Sequence, residues 1–96
     1  MRTLVVNMAT DPERTADVSN HLRNGITAWA QQQPGFIRGE WLISEHRDAG
    51  LGFIVFDSAD TATEAAIGPR HYVHDGKRAW NITAVTVYES IASATR

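Results

Sequence analysis

A segment in the last third of the chain carries the side chains best suited to proton transfer. His71 comes two residues after Pro69, and Tyr72 follows it directly. An imidazole exchanges protons near neutral pH because its unperturbed pKa is about 6.5, and a phenol can hydrogen-bond a hydroxyl or carbonyl group. We therefore predict an acid–base site at His71, with Asn7 or Tyr72 orienting the substrate. The alternative is a surface His that merely follows a helix break. The alternative for Tyr72 is a ring that is simply half-buried.

His74 follows His71 by three residues, so the two share a face if this segment is helical. Such a pair can contact a ligand, or one of the two can ligate haem iron. A protein metal site normally has three or more ligands, and Asp75 is the only nearby carboxylate. The chain has no Cys, which excludes thiolate ligands and a Cys nucleophile. We predict that His74 binds ligand and that there is no dedicated metal site.

Three Trp residues are many for 96 residues, and an aromatic-lined cavity suits a flat ligand. Trp29, Trp41 and Trp80 are therefore predicted ligand contacts, although ordinary packing explains at least two of them. Trp41 is expected to share a strand face with Ile37, Gly39 and Ile43, where Gly39 leaves space beside the indole.

Asn7 interrupts an apolar strand near the N-terminus. A buried amide must find hydrogen-bond partners, so Asn7 either orients a substrate or is a structural amide near a strand end.

The composition excludes several function classes. With a net charge of −2 there is no basic excess to neutralise phosphates, so nucleic acid is not expected as a partner. No apolar run approaches the roughly 20 residues that span a bilayer, and the run Leu4–Val6 is too short for a secretory signal. We expect a cytoplasmic protein without membrane contact, and 96 residues fit a single domain, 1–96.

Hydrophobic patterning predicts six elements that would position these residues. The predicted strands are Thr3–Ala9, Phe36–Ser44, Leu51–Asp57 and Trp80–Glu89. A first helix is expected to begin at a capping box of Thr10 and Glu13, to bury Val18, Leu22, Ile26 and Trp29, and to end at 31–33. A second helix is expected over Ala59–Ile67, with Ser58 as N-cap and Gly68-Pro69 as the break. The order β-α-β-β-α-β is that of a ferredoxin-like α+β fold with a four-stranded antiparallel sheet.

The third strand carries large apolar side chains on both faces, because Phe53, Ile54, Val55 and Phe56 alternate between them. Two helices can cover one face only, and each exposed Phe or Ile forgoes roughly 1.5–3 kcal/mol. We predict a homodimer in which a second copy covers the other face. The alternative is a central strand that is simply apolar.

The chain resembles the dimeric α/β-barrel superfamily, and within it the small antibiotic-biosynthesis-monooxygenase-like proteins. Three stretches carry the resemblance: Gln33–Ile37, Phe53–Ser58 and Gly68–His71. It implies a dimeric barrel with a pocket between helices and sheet in each subunit. It also implies that His71, in a Pro-X-His element, acts as acid or base, although Gly68 stands where polyketide cyclases carry another His.

In haem-degrading members of the superfamily an Asn in the first strand, a Trp and a His line the pocket. Asn7 matches the Asn, and His71 or His74 can match the His, but residues 64–68 hold no aromatic side chain. The resemblance therefore leaves three functions open. They are cofactor-independent oxygenation or acid–base catalysis on an aromatic, polyketide-like molecule; binding of haem or a small ligand without catalysis; and a non-catalytic module with a sealed pocket. We favour the enzyme.

Overall fold

The computed structural model describes residues 1–72, 76 and 78–96. Its strands are β1 (Arg2–Thr10), β2 (Phe36–Ile43), β3 (Ala49–Phe56) and β4 (Trp80–Glu89). Its α-helices are α1 (Thr15–His21), α2 (Thr27–Gln31) and α3 (Ala59–Arg70). A 3-10 turn, Pro12–Arg14, precedes α1, and a π-helical segment, Leu22–Ile26, joins α1 to α2. The predicted α+β order of elements is confirmed.

The strands form one antiparallel sheet in the order β2-β3-β1-β4. All helices lie on one face of this sheet, where Leu4, Val6 and Met8 of β1 pack with Val18 and Leu22 of the helical run. Among the described residues, no helix is long and apolar enough to cross a membrane.

Strand β3 is apolar on both faces, as its sequence indicates. Ile54 and Phe56 face the helices and are almost completely buried. Val55 and Phe53 point to the opposite face, which none of the described helices covers, and Phe53 is 36% exposed there. We call this opposite side the outer face.

Two register shifts alter side-chain alternation at the edge strands. Between Phe36 and Arg38 of β2 the pairing with β3 skips a residue, so Ile37 leaves the core and is 46% exposed. The expectation that Ile37 shares a face with Trp41 is therefore wrong. In β4 the pairing skips Thr83, and this bulge lets both Ile82 and Val85 pack against the core.

The first helical run begins one residue later than its predicted capping box. Asp11 is the N-cap, and its carboxylate accepts a hydrogen bond from the backbone N–H of Glu13. Thr10 instead ends β1, and its hydroxyl donates to the carbonyl of Arg47 in the β2–β3 turn at 2.7 Å. Thr10 thus connects β1 to this turn rather than capping a helix.

Helix α3 continues past its predicted break and includes Gly68 and Pro69. A Pro in the last turn removes only its own backbone hydrogen bond, and the N–H groups of His71 and Tyr72 still reach carbonyls of the helix. This extension places Tyr72 one residue beyond the helix C-cap, His71, where its side chain packs against the core.

Candidate functional site

A cavity of about 190 Å³ lies between the helices and the sheet and is partly open to solvent. Its wall is almost entirely apolar and includes three Trp side chains and one Tyr. The lining residues are Val6, Met8, Ile26, Trp29, Trp41, Ile54, Gly68, Pro69, Tyr72, Trp80 and Ile82. The fold thus brings Trp29, Trp41, Trp80 and Tyr72 to one cavity, although ligand binding by them stays a prediction.

Trp41 lies flat on the sheet because two glycines leave room for it. A Cβ added to Gly39 would come within 2.7 Å of Cη2 of the indole, and one added to Gly52 would come within 3.0 Å of its Nε1. The six-membered ring therefore lies over β2 and the pyrrole edge over β3. One face of the indole rests on the sheet, while Trp41 also lines the cavity.

Trp80 is the centre of an aromatic cluster at the start of β4. His21 stacks on it with ring centroids 4.8 Å apart, and Tyr72 stacks on it at 4.9 Å. The guanidinium carbon of Arg78 lies 5.3 Å from the Trp80 ring centroid and 5.6 Å from that of Tyr72. This cluster of four side chains joins the end of α1, the segment after α3 and β4.

Two polar atoms of this cluster are buried without a hydrogen-bond partner in the described part of the chain: Nε2 of His21 and the hydroxyl oxygen of Tyr72. A buried polar atom left unpaired costs roughly 1–3 kcal/mol. Tyr72 lines the cavity with its ring, whereas its hydroxyl oxygen is closed off from solvent.

His71 is exposed at the C-cap of α3 and is not part of the cavity wall. Its Nδ1 lies 2.8 Å from the carbonyl oxygen of Ile67. In the neutral ring this contact makes Nδ1 the donor and leaves Nε2 as an acceptor. The cavity-lining residues Pro69 and Tyr72 flank His71, so it stands beside the cavity rather than in it.

Asn7 does not line the cavity, because its neighbours Val6 and Met8 face the helices and strand side chains alternate. Asn7 lies on the outer face, in a shallow depression that Val5, Leu51 and Phe53 also line. Asn7 has no contact with this cavity, and its predicted role in orienting a substrate stays a prediction. The predicted ligand residue His74 lies outside the described residues. Among those described, no group of three or more metal-ligating side chains occurs.

No protein-family model matches the chain, and no curated protein matches it by sequence. Solved structures match over nearly its full length. A monooxygenase, ActVA-Orf6 of Streptomyces coelicolor, solved with nanaomycin D, has a TM-score of 0.64 at 12% identity, covering 99% of this chain and 91% of its own. A variant of SnoaB, a cofactor-independent oxygenase of Streptomyces nogalater, has a TM-score of 0.61 at 17% identity, covering 99% and 98%.

A variant of MhuD with two manganese protoporphyrin IX molecules per active site has a TM-score of 0.69 at 14% identity, covering 100% of both chains. The chain has the ferredoxin-like fold of these proteins. At such identities the likeness extends to the fold alone. The function therefore has to be argued from the residues and the cavity of this chain.

His21 is the residue of this region that the sequence pattern did not indicate. The apolar stripe Val18, Leu22, Ile26 places His21 to one side, where a surface position is expected. In the structure the π-helical segment begins directly after His21, and the ring packs on Trp80. The available signal was the three-residue spacing from Val18, which brings His21 beside a buried position.

The pKa of His21 is lowered from its usual value by burial of the ring and, secondarily, by the positive charge of Arg78. In the unfolded chain His21 binds its proton with an ordinary pKa, near 6.5. Between the lowered folded value and that ordinary value the unfolded state therefore binds more protons than the folded state, so the free energy of unfolding rises with pH in this interval.

We expect His21→Gln to flatten that rise, because the titrating ring is gone. Urea unfolding at a series of pH values from 5 to 7.5 measures it, with His46→Gln in the exposed β2–β3 turn as the matched control. An unchanged slope in His21→Gln would contradict the assignment of this titration to His21.

Proposed function

We propose that the protein binds an aromatic small molecule in the cavity between helices and sheet and oxygenates it with O₂, without a bound cofactor. The observation that carries this proposal is the cavity itself, with three Trp side chains and the Tyr72 ring in an almost entirely apolar wall. An apolar site with few polar groups is typical of small-molecule binding. The likeness to ActVA-Orf6 and SnoaB supports the choice of oxygenation.

Oxygenation without a cofactor requires a substrate that becomes an electron-rich anion. A hydroxyarene or cyclic ketone with an activated CH₂ group meets this need once a base removes one proton. The carbanion then reduces O₂: one oxygen atom forms a new C=O in place of the two C–H bonds, and the other leaves as water with both hydrogens. The substrate supplies all four electrons, and the apolar wall reduces the contact of the reactive anion with solvent.

His71 is the proposed base. Its Nδ1 is held by the Ile67 carbonyl, which fixes the tautomer that presents Nε2 as acceptor. Its exposure lets it return the proton to solvent, and Tyr72, the next residue, contacts both the cavity and Trp80. In this proposal Tyr72 orients the substrate and His71 accepts its proton at the cavity mouth.

We expect His71→Ala to lower the turnover rate about 100-fold, the lower end of what general base catalysis contributes. The rate of O₂ uptake under saturating substrate measures it. His46→Ala, which removes an exposed imidazole from the β2–β3 turn, is the control and is expected to match the unaltered protein. Equal rates for the two variants would exclude His71 as the base.

Oxygenation itself is tested with ¹⁸O₂ and a panel of hydroxyarenes and cyclic aryl ketones of one to three rings. The expected product gains one ¹⁸O atom and loses two hydrogens, and one water is released for each O₂ consumed. Tight binding without O₂ uptake across the panel would instead indicate a ligand-binding protein without catalysis.

The likeness to MhuD raises the question whether this chain binds haem. The described residues do not fit haem. Pockets for drug-sized ligands have volumes of about 300–1,000 Å³, and a porphyrin needs at least as much. The cavity has about 190 Å³. We therefore propose no role for haem.

We also propose that a second copy of the chain covers the outer face. Val5 and Val55 lie on this face and are nearly buried, with Phe53 paired to Val5 and Thr3 paired to Val55 across the neighbouring strands. Leu42, Phe53 and Tyr88 extend this patch and are 36–52% exposed. A two-fold dimer buries the same patch on both copies at once, which supports a homodimer over an unrelated partner.

A further inference from the structure

The size of the cavity limits what it can hold. An engineered apolar cavity of about 150 Å³ in another protein accommodates benzene. At about 190 Å³ the cavity has room for one ring with substituents, or for two fused rings with one edge in the opening. Three fused rings, the flat polycyclic ligand that three Trp residues alone suggest, exceed it.

The floor of the cavity is a flat aromatic surface. The Trp41 indole is pressed onto the sheet only because Gly39 and Gly52 carry no side chain. With a Cβ at Gly39 the six-membered ring would have to lift into the cavity, since the backbone oxygen of Phe53 also lies 3.3 Å from that position. The two glycines therefore set both the depth of the cavity and the plane on which an aromatic ring can stack.

We propose that the ligand is a one-ring or compact two-ring aromatic molecule stacked on Trp41, and that Trp41 with Gly39 and Gly52 is the size-selecting element. This assignment rests on the proposed binding of an aromatic molecule in the cavity but not on its oxygenation.

The test is a binding series under nitrogen, which separates binding from oxygen chemistry. Phenol, 2-naphthol and 2-hydroxyanthracene are compared by calorimetry and by competition against bound 2-naphthol. We expect 2-naphthol to bind most tightly and 2-hydroxyanthracene at least about tenfold more weakly, because the third ring has no room. Binding of 2-hydroxyanthracene as tight as that of 2-naphthol would overturn the size limit.

Gly39→Ala is expected to weaken 2-naphthol binding about tenfold and phenol binding less, as the lifted indole shortens the cavity. Gly25→Ala is the control, because its Cβ meets only ordinary contacts with His21, the nearest at 3.5 Å. Circular dichroism checks that both variants fold, and the size series on the unaltered protein decides the question if Gly39→Ala does not. If no O₂ uptake is detected but the binding series gives the expected order, the proposed oxygenation is wrong and this inference still holds.

Discussion

Trp80→Ala is expected to lower the free energy of unfolding by about 3–5 kcal/mol, the usual cost of truncating a buried aromatic side chain. Trp80 is 6% exposed and holds together His21, Tyr72 and Arg78. Its removal leaves a void and ends two ring–ring contacts at once. Because domains of this size are stable by only about 5–15 kcal/mol, the loss is a large share of the total.

Urea and thermal unfolding measure this effect, and the melting temperature is expected to fall by about 4–8 °C per kcal/mol. Trp80→Phe is the matched control, since it retains a ring against His21 and Tyr72 and is expected to cost less than half as much. Trp80 also forms part of the cavity wall, so the two variants are compared in ligand binding as well as in stability. A cost below 1 kcal/mol for Trp80→Ala would contradict the central position given to this side chain.

The order of elements could be predicted because hydrophobic patterning is strong where strands are buried. β4 has the predicted limits, Trp80–Glu89, and β3 shows the predicted apolar side chains on both faces. The ends of the helices were harder to predict from the sequence. Pro69 indicates a break, yet at the end of a helix it costs one hydrogen bond, so α3 includes it and Tyr72 reaches the cavity.

The site was only partly predictable, because it depends on contacts between distant segments. The three Trp residues and Tyr72 could be proposed from residue type, and Gly39 from its place beside Trp41. Gly52, which completes the space under the same indole, lies on another strand, and its role follows from the β2–β3 register. The position of Asn7 on the outer face follows from simple alternation with Val6 and Met8.

The outer face raises the question of what covers it, because its apolar side chains are costly to leave in water. Burying an apolar surface contributes roughly 25 cal/mol per Å². Phe53 lies on the central strand β3, beside Val5 of β1, and is 36% exposed on this face. A charge at this position should therefore act directly on any interface formed there.

We expect Phe53→Glu to convert a homodimer into a monomer at micromolar concentration. A two-fold interface would receive two carboxylates, one from each copy, and an unpaired charge in an interface costs about 3 kcal/mol or more. Size-exclusion chromatography with light scattering measures the mass of both forms. Ile67→Glu is the control, since Ile67 is 48% exposed on α3, away from the outer face, and is expected to leave the dimer intact. If the unaltered chain is a monomer under these conditions, or if Phe53→Glu remains a dimer, a second copy does not cover this face.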